Sequence, residues 1–288
     1  MVGVPGQVVQ WIGTPEGRLA VEVRGPAGPA PTVVFLHGLS AHRSSWTPVV
    51  RNLEADVRCV LIDLLGRGES DAAPGARYDL ESEARRLLVV LEALDVRRPL
   101  LAGHSHGAAI AVAAAGRCGA GGLLLVNPVT PDLPRPALLA SLRSRAIRRI
   151  ATPALRHFRR PLTRYILVRR VFADPASMPS GAVDRYSAPW GDPSRAAGLV
   201  RILADWRPAE LELWDRAPGI PVHVIAGSLD RRIPREAARR WAERLGGELR
   251  VEIGCGHAVP EERPEAVASV VKEMLRTAGL EERRIDTS

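Results

Sequence analysis

An α/β sheet fold is predicted by the alternation of short apolar runs with helical stretches. Three observations carry the prediction. The apolar runs are five to seven residues long and lack polar alternation, as strands buried on both faces do. The stretches between them repeat apolar residues at helical spacing. The two patterns recur in turn, and a mostly parallel sheet with right-handed crossovers is the arrangement that buries both.

Taken in order, Val8–Gly13 and Leu19–Arg24 flank a Thr-Pro-Glu-Gly turn and predict a hairpin. Pro31–Leu36 and Val57–Asp63 are compact apolar runs, Pro99–Gly103, Leu123–Asn127 and Val222–Gly227 repeat the pattern, and Leu249–Ile253 is the last strand. Leu80, Ala84, Leu87, Leu88, Leu91 and Leu94 share one helical face, with Asp79 as N-cap. His106–Arg117 is alanine-rich and favours helix. Arg235–Leu245 and the Val267–Leu275 region predict two later helices, the last stopping near Gly279. Between about Pro131 and Pro218 no convincing strand appears. Amphipathic helical segments broken by Pro153, Pro161, Pro175, Pro189 and Pro193 predict a helical insertion there, since a structureless loop of that length is implausible.

Composition bounds the function. The 288 residues include 40 basic and 32 acidic ones, for a net charge of +8. Lys272 is the single lysine. So complete a preference for arginine reads as codon bias, which removes it as an argument for nucleic acid. Three cysteines (Cys59, Cys118, Cys255) form no disulfide framework or metal knuckle. No apolar run is long enough to span a membrane, and Met1–Gln10 lacks the pattern of a secretory signal. A cytoplasmic location is expected. No His/Cys/Asp/Glu cluster has metal-ligand spacing, and the Asp63–Gly66–Gly68 turn lacks a nucleotide-loop pattern. No metal or organic cofactor is expected.

Gly103-His104-Ser105-His106-Gly107 fits G-x-S-x-G, with an apolar strand entering and a helix leaving. That context is a nucleophile elbow, whose sharp turn lifts the serine hydroxyl out of the sheet. A serine needs a base. His257, in Gly254-Cys255-Gly256-His257 after the last strand, is the candidate. The base needs an acid to fix its tautomer. Asp230, which closes the Val222–Asp230 strand and turn, is preferred over Asp132 in its proline-rich exit.

These residues, together with His37-Gly38-Leu39, Trp46, Asp63-Leu-Leu-Gly66-Arg-Gly68-Glu-Ser70, Gly227-Ser-Leu-Asp230 with Pro234, and Glu262-Arg-Pro264-Glu265, resemble the α/β-hydrolase superfamily. The resemblance implies an eight-stranded, mostly parallel sheet with helices on both faces. It implies a core of residues 1–130 and 218–280 and a helical cap over 131–217, inserted after strand 6. A disordered tail is expected at 281–288. The family's oxyanion hole carries over to the backbone N–H groups of Leu39 and His106. His37, His42, Trp46 and the side chain of His106 are candidates to line the pocket, with support of the oxyanion loop the alternative role for His37. A serine nucleophile excludes the haloalkane dehalogenases and epoxide hydrolases of the superfamily, which use aspartate.

The resemblance implies a serine hydrolase acting on a small acyl substrate, an ester first. A thioester on a carrier, a C–C bond, and a non-hydrolytic cyclase, lyase or binding role remain alternatives. From Leu133 to Ala173 there are eleven arginines and no acidic residue. Solvation and codon bias account for them unless they meet an anionic partner: an acidic carrier protein, an anionic substrate or a membrane surface. No nucleic-acid motif accompanies the charge. Leu138, Leu139, Leu142, Ala146 and Ile150, and then Leu155, Phe158, Leu162, Tyr165 and Ile166, form apolar stripes expected to face the site, with arginines facing solvent.

Overall fold

A computed structural model describes residues 8–27, 30–73, 75–130, 140–205 and 219–280. Asp132, Leu138, Leu139 and the tail 281–288 lie outside the described residues.

Eight strands form one sheet in the order β1-β2-β4-β3-β5-β6-β7-β8. They are β1 (Val8–Thr14), β2 (Gly17–Arg24), β3 (Thr32–Leu36), β4 (Arg58–Ile62), β5 (Leu100–His104), β6 (Gly122–Val126), β7 (Val222–Gly227) and β8 (Glu248–Glu252). The hairpin strand β2 pairs antiparallel with β1 and β4, and every other pair is parallel.

The apolar runs lack polar alternation because both faces are covered. Val34, Leu36, Leu101, Leu123 and Leu125 pack on one side, against α2 (Leu80–Ala93), α3 (His106–Cys118) and α8 (Arg235–Leu245). Val33, Phe35, Ala102, Leu124 and Val126 pack on the other, against α1 (Thr47–Val50) and α10 (Pro264–Thr277). Asp79 caps α2 as expected, its carboxylate accepting from Ser82 N–H at 2.9 Å. A short helix, α9 (Val259–Glu262), precedes α10.

Between β6 and β7 the described residues hold α4 (Arg145–His157), α5 (Arg159–Ile166), α6 (Ala182–Ser187) and α7 (Pro193–Asp205), with no strand among them. The prolines interrupt less than expected. Pro193 begins α7, and Pro161 is the third residue of α5. At both positions a backbone N–H would have no intrahelical acceptor, so nothing is lost. Pro153 sits inside α4, which runs through it.

The orientation of the apolar stripe differs from expectation. Ile150 is 72% exposed, Tyr165 62% and Phe158 57%. Of the expected stripes, Leu142 and Leu155 do pack inward, with Ala151, against Val200 and Ala204 of α7, and Ile166 lines the cavity with Ser105. Leu167 and Phe172 pack on Ala41 and Ala258. Those contacts leave Ile150, Phe158 and Tyr165 to face solvent.

Candidate active site

The site lies where strands β3 to β8 end, because loops leaving parallel strands converge on that edge. Ser105 follows β5 directly and is buried, with φ 53° and ψ −112°. A non-glycine residue rarely takes positive φ, and strain of this kind persists only where the surroundings enforce it. The flanking glycines are what permit it. A Cβ at Gly103 would collide with the Gly107 carbonyl, and one at Gly107 with the Leu36 carbonyl. The G-x-S-x-G spacing is the steric condition for packing α3 this closely behind the turn.

His257 and Asp230 come together from the β8 and β7 loops. The His257 Nδ1 lies 2.7 Å from Asp230 Oδ2. The other Asp230 oxygen accepts the Arg232 and Ile233 N–H groups at 2.7 and 3.0 Å. Burial pulls the Asp230 carboxyl upward, but the His257 ring and these amides outweigh it and hold it below the usual carboxylate range. The acid therefore stays ionised and accepts the Nδ1 proton, leaving Nε2 for other chemistry.

Ser105 and His257 line one cavity of about 50 Å³, with His104 at the end of β5, Gly38, Leu39 and Arg232 of the sheet loops, and Thr163, Leu167, Val171, Tyr186 and Trp190 of the insert. A larger cleft of about 600 Å³ adjoins it, lined by His42, Arg43, Asp63, Glu69, Arg185 and Arg195. Neither Ser105 nor His257 lines that cleft, so its size does not make it the reaction site.

Residues 33–270 match the description "Alpha/beta hydrolase family". The chain belongs to the alpha/beta hydrolase family. An uncharacterized protein of Mycobacterium tuberculosis is 28% identical over 268 residues, covering 87% of this chain and 77% of that one. The magnesium-chelatase 30 kDa subunit of Rhodobacter capsulatus is 27% identical over 264 residues, covering 86% and 88%. Among solved structures, a thermophilic esterase from Thermogutta terrifontis superposes with TM-score 0.76 at 25% identity, covering 94% of this chain and 99% of that one.

The loops of this alpha/beta hydrolase are tied down residue by residue. His37 is fully buried. It faces the Gly38 carbonyl with Nδ1 at 2.7 Å and accepts the Leu64 N–H at Nε2 at 3.1 Å. Burial and Arg67 push its pKa down to about 3. It is neutral, so its 3.9 Å approach to Asp63 is no ion pair: Nε2 is already an acceptor. Arg67 donates to the Leu39 carbonyl at 3.4 Å and pairs with buried Glu83, which also holds Arg86. The Asp63–Ser70 segment thus braces the His37–Leu39 loop.

Of the four residues proposed from sequence as pocket lining, His37, Trp46 and His106 do not line the cavity with Ser105. Trp46 is fully buried between Phe35 and His104. The His106 side chain is buried too, and burial followed by Arg67 pushes it down to about 3. A residue at the start of α3 points its side chain beside the sheet, toward the Arg67–Glu83 cluster, while its N–H stays at the helix end. His42 lines the larger cleft, and its ring lies 5.1 Å from that of Tyr186, which lines the smaller cavity.

Two supporting residues, one of them in the Glu262–Glu265 motif, have no role assigned from the sequence. Asn127, at φ 42° just past β6, donates to the Gly256 and His257 carbonyls at 3.2 and 2.9 Å and accepts the Gly227 N–H at 2.9 Å. Glu262 accepts from Gly256 N–H at 3.1 Å and from Ala173 N–H of the insert at 3.0 Å. An asparagine at a strand exit is the one local signal, since asparagine tolerates the left-handed region. His104 also donates to the His257 carbonyl, at 2.8 Å. Cys255 is buried and its thiol is pushed up to about 12, which makes it a poor nucleophile. Among the described residues no cluster of His, Cys, Asp and Glu could hold a metal, and no helix is long and apolar enough to cross a membrane.

Proposed function

We propose that this alpha/beta hydrolase is a serine hydrolase that cleaves a carboxylic ester through an acyl-enzyme. The supporting observation is a strained serine on an elbow, sharing one cavity with a histidine whose Nδ1 is held by a buried carboxylate. Ser105 attacks the carbonyl while His257 Nε2 takes its proton. The Leu39 and His106 N–H groups stabilise the oxyanion, a contribution of several kcal/mol to the barrier. His257 then protonates the leaving alkoxide, and water activated by the same ring releases the acid. Asp230 orients the ring throughout.

Residues 131–217 act as the cap in this reading. A cavity of about 50 Å³ holds a water or two, whereas substrate pockets span about 300–1,000 Å³. The cap must therefore move for an ester to enter. The hydroxyl nucleophile and water as acceptor give hydrolysis, which needs no added group.

The reading is tested by turnover of p-nitrophenyl esters of graded acyl length. Burst kinetics are expected for the wild type, with kcat reduced on the order of 10⁴-fold or more by Ser105→Ala and Asp230→Asn. Asp132→Asn should keep wild-type turnover. Loss in D132N with full activity in D230N would reassign the acid. A wild type inert across the series, with thioesters accepted, would favour the carrier-bound substrate.

A further inference from the structure

Large apolar side chains are seldom left exposed together on a soluble surface unless something covers them. Eight are exposed among the described residues, and five of them sit on α4, α5 and the residue that joins them: Ile147, Ile150, Phe158, Leu162 and Tyr165. With exposed Ala154 they recur every three or four residues from 147 to 165, which lays them along one side of consecutive helices. Two more, Leu229 and Ile253, follow β7 and β8 at the sheet edge where the site lies.

Charge on the same segment has one sign. Residues 133–173 hold eleven arginines and no acid. Arg160 pairs with Asp184 from α6. Among the described residues Arg145, Arg149, Arg164 and Arg169 make no ion pair, and all four are exposed. The face therefore combines protruding apolar side chains with uncompensated cations.

We propose that the outer face of α4 and α5 docks on an anionic lipid surface. Helices with a strong apolar stripe flanked by arginine lie in the headgroup plane, the stripe in the acyl boundary and the cations among anionic headgroups. Ile150, Phe158 and Tyr165 are each more than half exposed, and none of them lines either cavity. A fluid lipid covers exposed apolar side chains without a matching surface, whereas a folded acidic partner needs one. The site lies directly beneath. Thr163, Ile166 and Leu167 line the cavity with Ser105, while Leu162 and Tyr165 of the same stretch face outward. Docking therefore sets the lipid surface against the segment that must move to admit substrate.

Vesicle co-sedimentation of the full chain tests the inference independently of any hydrolase activity. The vesicles are phosphatidylcholine alone or with a minority of phosphatidylglycerol. The wild type should partition onto the anionic vesicles at least about tenfold more than onto neutral ones at about 0.1 M salt, with most of that preference gone at about 0.5 M. Phe158→Ser with Tyr165→Ser should abolish binding, and Arg149→Gln with Arg164→Gln should abolish the preference for anionic lipid. All four side chains are exposed, so unchanged circular dichroism is expected. Equal partition onto both vesicle types, or undiminished binding by F158S/Y165S, would overturn the proposal. So would a solution dimer split by F158S/Y165S, which assigns the face to a second copy. Binding of a purified acidic carrier protein without vesicle binding would overturn it too.

Discussion

His37, His104 and His106 each support the site without carrying a charge. All three are buried, and burial is the largest cause pushing each down to about 3. In the unfolded chain an imidazole titrates near 6.5. Below that pH the unfolded state binds more protons, so their stability contribution is complete above about 6.5, falls as pH drops, and stops falling near 3. Glu261 acts with the opposite sign. Burial pushes it up to about 7, with the Tyr186 hydroxyl pulling the other way, so its folded state gains protons and stability as pH falls from about 7 toward 4.5. Each group contributes a slope of at most about 1.4 kcal/mol per pH unit. Three histidines outweigh one glutamate, and the melting temperature should fall by several degrees between about pH 6.5 and 5. A level or rising profile would show that the histidines are not held neutral. That Ser105, Asp230 and His257 follow strands was legible in the sequence, because each comes after an apolar run with glycine within three residues. The role of Asn127 was not. Its partners Gly227, Gly256 and His257 lie at least 100 residues away along the chain, and no local pattern encodes a bond of that span.

Around Ser105 one loop braces another. Arg67 donates to the Leu39 carbonyl from the Asp63–Ser70 segment and is held by Glu83 of α2 at 2.6 Å. Both side chains are almost completely buried. Burial raises the Glu83 carboxyl and the two arginines more than reverse it. Removing one member of such a cluster leaves a buried charge short of its partner, at a cost of about 3–5 kcal/mol. Arg67→Met should therefore lower the unfolding free energy by that amount, read as a lower denaturant midpoint at unchanged m, and lower kcat for soluble esters more than it raises KM, because the Leu39 loop loses its brace. An unchanged midpoint would mean that Arg67 is only incidental to the loop. Strands and helices were legible here to within a residue or two: Val57–Asp63 appears as β4 (Arg58–Ile62) and Leu249–Ile253 as β8 (Glu248–Glu252). The facing of the insert was not. An apolar stripe is ordinarily assigned inward, but only Leu142, Leu155 and Ile166 of the expected stripes turn inward among the described residues, while Ile150, Phe158, Leu162 and Tyr165 are left outside.

For the whole molecule, the net charge of +8 resolves into two parts. Without the eleven arginines of residues 133–173 the chain holds 29 basic and 32 acidic residues, so the excess belongs to one segment over the site. The sheet supplies the complementary feature: the loops leaving β3, β5, β7 and β8 bring Leu39, Ser105, Asp230 and His257 to a single edge. Convergence on one edge was predictable from the order of elements, since parallel strands joined by right-handed crossovers place their exits together. The size of the cavity beneath the insert was not, because it depends on how two packed layers meet. Covalent labelling of the folded protein with a fluorophosphonate probe, followed by mapping of the modified peptide, tests the hydrolase reading most directly. The adduct is expected on Ser105, lost in Ser105→Ala and strongly slowed in Asp230→Asn. A folded wild type that fails to label, or labels at another residue, would contradict it.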